Sequence, residues 1–276
     1  MSIALQVALV MVTILVVLLV IGAPIGVAIG MSSAVSMICM IPADVSFATS
    51  AQRIFAGSNS FSLIAIPFFI LAGNIMNNGG IATRLVNCAK VISGRMPGAL
   101  AQSNVVANML FGAISGSGAA AAAAMGGTIG PLEEKEGYDK NYSTAVNVAS
   151  APVGMLIPPS NTMIVYSSVA GSVSIAALFM AGYIPGLLWG GAVMILAGIM
   201  AKKRGYQAEQ RVQVKVALKT FWQAIPSLLL IVIVIGGILG GIFTATEGSA
   251  IAVVYATVLS LIYKAFKIKD IPRIVL

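Results

Sequence analysis

The 276-residue chain contains no histidine, two cysteines and only eight acidic residues. Each scarcity excludes a class of chemistry. Without histidine the commonest general base and the commonest metal ligand are gone, so a metal-dependent hydrolase or a triad hydrolase is not expected. Cys39 and Cys88 stand apart in apolar surroundings and read as small hydrophobes, not as a disulfide or metal pair. Charged residues make up 9% of the chain, against about 25% in an ordinary soluble domain. So few charges cannot cover the surface of a soluble fold of this size.

What the chain has is long uncharged stretches, with 59% hydrophobic residues. Runs long enough to cross about 30 Å of hydrocarbon are Ile3–Ile21, Gly26–Ile41, Phe61–Met76, Phe221–Phe243 and Gly248–Tyr263. Two more are longer: Gly98–Gly130 is 33 residues without a charge and Asn141–Ala201 is 61. The expected fold class is all-α integral membrane, with multiple spans. Ile3–Ile21 reads as a first span, not a cleavable leader, because no basic n-region precedes it and no A-x-A site closes it.

The net charge of +8 is not a nucleic-acid footprint, since the positives sit in short segments between apolar runs. Lysine and arginine so placed mark the cytoplasmic side. Thirteen of the sixteen fall in three groups: Arg84, Lys90 and Arg95; Lys202, Lys203, Arg204, Arg211, Lys215 and Lys219; and Lys264, Lys267, Lys269 and Arg273. Asn141–Ala201 then holds two spans broken near Gly171, and Glu133–Lys140 also falls on the cytoplasmic side. Gly98–Gly130 must therefore begin and end on one side. A re-entrant helical hairpin does this, with its turn at "SGSG" (Ser115–Gly118), where Gly and Ser are weakest as helix formers. The alternative for this Gly/Ala run is a helix-packing face.

A second interruption is "ASAPVGMLIPPSN" (Ala149–Asn161), with three prolines and a glycine. Proline removes an amide donor and breaks the helical ladder, which frees carbonyls that need partners. A hard cation such as Na⁺ is one partner; a simple kink is the alternative. Two interrupted segments at membrane depth point to a carrier's binding site. Ser115 and Ser117 offer hydroxyls and carbonyls at the hairpin tip, and Gly154, Ile157 and Pro159 offer carbonyls at the Pro break. Asn108, Asn147, Ser160 and Asn161 are the candidates to line a substrate path. Asn104 and Asn108 share a helix face. Asn74, Asn77 and Asn78 precede a Gly79–Gly80 helix stop. In "TATEG", a threonine is expected to cap the helix that follows, with Glu247 in its first turn. Ile81–Arg95 reads as an amphipathic helix able to lie along the membrane interface.

Several motifs, in order, carry a family resemblance: "IPFFILAGNIMNNGGIATRL" (Ile66–Leu85), "GRMPGALAQSNVVANMLFGAISGSG" (Gly94–Gly118), "EKEGYDK" (Glu134–Lys140), "NVASAPVGMLIPPSN" (Asn147–Asn161) and "GGIFTATEGSA" (Gly240–Ala250). The chain resembles the large membrane subunit of the tripartite ATP-independent periplasmic (TRAP) transporters. That resemblance implies a secondary transporter of the bacterial inner membrane with no cofactor. It implies import of an organic acid (a sugar acid such as sialic acid, or a C4-dicarboxylate) with Na⁺ as the coupling ion, and it makes Ser115 and Ser117, with Gly154, Ile157 and Pro159, the expected first Na⁺ site. It implies a small membrane subunit and a periplasmic substrate-binding protein as partners, and an elevator-type mechanism. The expected organisation is then N-terminal transmembrane helices over 1–81, an amphipathic arm helix over 82–97, the hairpin over 98–130 and Pro-broken helices over 141–201. A basic cytoplasmic loop over 202–220, the opening helices of a second repeat over 221–264 and a basic tail over 265–276 complete it. By the same resemblance this is the first half of an inverted-repeat elevator, with the second hairpin and second ion site lacking. A structural or scaffold subunit, or a non-transporting truncated fragment, is the competing expectation. No charged ring or carbonyl filter supports a channel, and no carboxylate pair within a span supports an enzyme.

Overall fold

A computed structural model of the chain describes residues 3–171, 173–206 and 214–265, and every regular element in them is helical. Packing divides the chain into two units, residues 1–60 and 61–276. The first holds α1 (Ile3–Val20), α2 (Ile25–Ile38) and α3 (Ala43–Ser58). No residue of α1 is buried, although the helix is apolar all round. Such a helix is stable only in an apolar solvent. Helix α2 packs on both α1 and α3, and the Ser46 hydroxyl of α3 donates to the Ala34 carbonyl at 2.9 Å.

The expected span Gly26–Ile41 is corrected here. Helix α2 has 14 residues, about 21 Å at 1.5 Å per residue, which is short of the hydrocarbon thickness. Pro42 ends the run and stands as the N-cap of α3. Hydropathy misses α3 because Asp44, Gln52 and Arg53 dilute it, while Pro before a first turn is itself a helix-start signal.

The second unit opens with a 3₁₀ turn (Phe61–Ile64) that runs into α4 (Ala65–Asn78). Pro67 is tolerated because it sits in the first turn of α4, where amides have no intrahelical partner. The stop after Asn78 is as expected, with Gly80 left-handed at φ +71°. Then follow α5 (Ile81–Ser93), α6 (Ala99–Ser115), α7 (Gly118–Thr128), α8 (Gly130–Lys135), α9 (Lys140–Ser150), α10 (Val153–Leu156), α11 (Asn161–Ala170), α12 (Ile175–Arg204), α13 (Val214–Leu239) and α14 (Ala245–Ile262). Among the described residues, α1, Phe61–Asn78, α12, α13 and α14 are long and apolar enough to cross a membrane. The pair Lys140–Leu156 and Asn161–Ala170, bent by 48°, makes a sixth if counted as one broken span.

Helix α6 is the hub. Fourteen of its seventeen residues are buried, because α4, α5, α9, α10 and α12 all pack on it. Helix α4 lies along α14, and the Thr246 hydroxyl donates to the Phe61 carbonyl at 3.0 Å. Thr244 caps α14 as expected. Its hydroxyl accepts from the Glu247 amide while the Glu247 carboxylate accepts from the Thr244 amide at 2.7 Å, a complete capping box.

Two further expectations are corrected. The apolar stripe of α5 (Ile81, Leu85, Val86, Ala89) is buried against α6 and α13, so protein covers the face that sequence offered to the interface. The basic segment 202–220 is not one loop. Helix α12 runs on through Lys202 and Lys203 to Arg204, and α13 begins at Val214, ahead of Lys215 and Lys219. Lysine and arginine are good helix formers, and cations in the last turn of α12 favour its dipole. The middle of that segment, 207–213, and nearly all of the basic tail, 266–276, lie outside the described residues. The end of α12 is tied to the start of α9. Arg204 pairs with Asp139 at 3.0 Å, the Asp139 amide donates to the Tyr206 hydroxyl at 2.8 Å, and Tyr206 stacks on Tyr138.

Candidate functional site

Two helix breaks meet beside α6. Helix α6 ends at Ser115, Gly116 turns left-handed, and Ser117 caps α7 by accepting from the Ala120 amide at 3.3 Å. In the second break the backbone leaves helix at Ile157, passes a cis Pro158–Pro159 bond, and restarts at Ser160. Ser160 is fully buried, caps α11 through the Met163 amide and donates to the Met155 carbonyl at 2.5 Å. Each break thus presents a serine-capped helix N-terminus beside a preceding helix C-terminus. Amides at such ends suit an anion, and freed carbonyls suit a cation.

The breaks touch at their tips. The Asn161 amide donates to the Gly116 carbonyl at 3.2 Å, and its side-chain Nδ2 lies 3.4 Å from the Ser115 carbonyl oxygen. Its Oδ1 is buried and has no hydrogen-bond partner among the described residues. The Ser115 hydroxyl makes only long contacts, 3.4 Å to both the Ser117 carbonyl and the Ser117 amide. A buried acceptor left unpaired is costly, and carboxamide, hydroxyl and main-chain oxygens are what a small hard cation takes. The donor set fits such an ion.

Close approach is enforced by glycine. At Gly116 (φ +62°) a Cβ would stand 2.9 Å from the Pro159 carbonyl oxygen. One turn back, Gly112 of α6 and Gly154 of α10 cross so closely that a Cβ on Gly154 would lie 2.6 Å from the Gly112 Cα.

Ser115, Ser117, Pro159 and Asn161 are therefore brought together at the tips. Gly154 lies a turn away in the crossing with Gly112. The Ile157 side chain packs with Ala113 and Val153, against Gly186 of α12. Asn108 is fully buried, and its amide lies within bonding distance of Asn104 Oδ1 (2.9 Å), Asn147 Oδ1 (3.0 Å) and Ser150 Oγ (2.8 Å). It clasps α6 to α9. Asn147 donates to the Ala122 carbonyl of α7 at 2.9 Å, and it also lines a cavity of about 360 Å³ with Asn104, Glu133, Lys140 and Ser143. Sequence reasoning missed this cavity. Nothing local separates Glu133 from the exposed Glu134, so only tertiary packing reveals it.

The family model for the DctM component of the tripartite ATP-independent periplasmic transporters matches residues 12–276. The chain belongs to the DctM family. It is 52% identical over 245 residues to the uncharacterized protein YgiK of Salmonella typhimurium, covering 89% of this chain and 56% of that protein. It is 38% identical over 242 residues to the C4-dicarboxylate TRAP transporter large permease protein DctM of Rhodobacter capsulatus (83% and 55% covered). It is 40% identical over 211 residues to the sialic acid TRAP transporter large permease protein SiaM of Vibrio cholerae (75% and 48%). The chain spans about half the length of these relatives. Both breaks and the capping box lie within the part of this DctM-family chain that the family model matches.

Proposed function

We propose that the chain supplies one half of the transport path of a Na⁺-coupled secondary carrier for a small organic acid in the bacterial inner membrane. The observation that carries this is the unpartnered Asn161 Oδ1, held where two broken helices meet. In this proposal Na⁺ binds at the tips between Ser115, Ser117, Asn161 and the Pro159 carbonyl, the member of the expected carbonyl set that the fold brings there. The ion neutralises the carbonyl ends of α6 and α10 and clips the tips together. The amide ends of α7 and α11 then face the carboxylate of the substrate. Binding of one partner strengthens binding of the other, because each compensates the field left by its neighbour.

The small residues of α7 and the glycine crossings suit an element that slides against its surroundings, as an elevator mechanism requires. A small membrane subunit and a periplasmic binding protein are the proposed partners. The names of two relatives place C4-dicarboxylates and sialic acid first in the panel of substrates to try.

The test is uptake of radiolabelled C4-dicarboxylates and sugar acids into proteoliposomes. These hold the chain within its complete large permease, the small subunit and the binding protein. Uptake that needs an inward Na⁺ gradient is expected. Uptake indifferent to Na⁺, or driven equally by K⁺, refutes the ion assignment.

A further inference from the structure

The cavity between α7, α8 and α9 holds a carboxyl group that the proposed transport path does not use. Glu133 is 1% exposed. Its Oε1 has no hydrogen-bond partner and it forms no ion pair among the described residues. Two other buried polar atoms on the same cavity wall make no hydrogen bond of normal geometry: Ser143 Oγ, which stands near the Glu133 carboxyl, and Asn104 Nδ2. Three unsatisfied groups around about 360 Å³ form a built polar site, since buried polar groups are otherwise satisfied.

The chemistry of the wall selects the ligand. A metal ion needs several convergent oxygens, but one of these three atoms is an amide donor, and Lys140 stands on the same wall. Both oppose a bound metal ion. A proton needs no such shell. It removes the cost of an unpaired buried carboxylate and turns one carboxyl oxygen into a donor. The charged and titratable groups around Glu133 are few. Helices α6 and α7 contribute none. Helix α9 brings Lys140 and Tyr142, α8 itself Glu134 and Lys135, and the connecting turn Glu136, Tyr138 and Asp139, with Arg204 paired to Asp139.

We infer that this cavity is a proton-binding site, with Glu133 as the group that takes up and releases the proton. Losing the proton puts an unpaired negative charge between α7 and α9, the two helices that Asn147 ties together. The site thereby connects cytoplasmic pH to the second arm of the hairpin. Burial supports this by pushing the Glu133 carboxyl up to about 7, opposed in part by the Ser143 hydroxyl. The inference is independent of the ion proposed at the helix tips.

The test uses the full chain in native membranes. Dicyclohexylcarbodiimide modifies carboxyl groups in their protonated form, and peptide mass spectrometry locates the product. Labelling of Glu133 is expected to be half-maximal near pH 7 and to fall about tenfold per pH unit above it. The exposed Glu134 and Glu136 serve as internal references. No Glu133 labelling between pH 5 and 9, labelling already lost at pH 5, or protection by Na⁺ at fixed pH would each overturn the inference, the last in favour of a metal cation. A second readout is thermal stability in detergent. The unfolded chain releases this proton first, so wild-type Tm should decline between about pH 5 and 7, and Glu133→Gln should abolish that decline. A wild-type Tm that is flat over this range contradicts the proposal.

Discussion

Asn161 and Gly116 join the two breaks of this DctM-family chain. The Asn161 amide donates to the Gly116 carbonyl at 3.2 Å, while the Asn161 Oδ1 is buried without a partner among the described residues. One residue thus supplies both the structural contact between the tips and the free acceptor of the candidate ion site. The consequences for the two roles separate experimentally.

The contact depends on glycine geometry. Gly116→Ala forces a side chain into φ +62° and against the Pro159 carbonyl, at a cost of about 1–3 kcal/mol. Gly154→Ala meets the Gly112 backbone, which cannot yield as a side-chain end would, with a cost of similar size, about 1–3 kcal/mol. Thermal unfolding in detergent should show both as clear losses, whereas Gly127→Ala, which lies inside α7 and meets nothing within 4 Å, should not lower Tm. Tolerance of alanine at both contact positions would show that the tips do not approach as closely as described.

The free acceptor is tested by ion binding. Asn161→Ala should weaken ²²Na⁺ binding at least tenfold, or about 1.4 kcal/mol. Ser115→Ala and Ser117→Ala should have smaller effects because main-chain oxygens survive the change. Ser117→Pro should be harsher, since it removes the Ser117 amide and reshapes the turn. Equal Na⁺ affinity across the series would remove the ion from this site.

A third expectation concerns the corner where α9 meets the end of α12. The Asp139 carboxylate accepts from the Tyr142 amide at 2.9 Å and pairs with Arg204. The amide first, then Arg204, hold its pKa below the ordinary aspartate range. A carboxyl lowered in the folded state contributes stability above its unfolded pKa and loses it as pH falls through the folded value. The Tm difference between wild type and Asp139→Ala should therefore be present at pH 6 and shrink below about pH 4. Asp139→Asn should fall between the two, keeping the cap but not the charge pairing. A difference that persists undiminished at pH 2.5 would contradict this account.

Much of the architecture was legible because hydrophobic runs and helix punctuation are local signals. The turn at Ser115–Gly118, the stop at Gly79–Gly80, the break at Gly171 and the Thr244–Glu247 cap follow from residue chemistry within a few positions. The misjudged segments share a cause. Helix α3 and the helical ends of the basic segment are amphipathic or charged, so a search for apolar length passes over them. The burial of α5 depends on α6 and α13, and no property of Ile81–Ser93 alone distinguishes a stripe facing lipid from one facing protein.

By itself, then, the sequence determined the solvent, the helical class and the places where helices must break. Low charge and long apolar runs tolerate only a membrane, and Gly, Ser and Pro interrupt the helical ladder wherever they cluster. Only the tertiary structure decided which breaks meet and which polar groups are left unpaired. Gly116 and Asn161 are 45 positions apart, and Glu133 differs from Glu134 only in the face of α8 on which it lies. Contact and burial are properties of the packed chain, and they turn an ordinary asparagine and an ordinary glutamate into candidate sites.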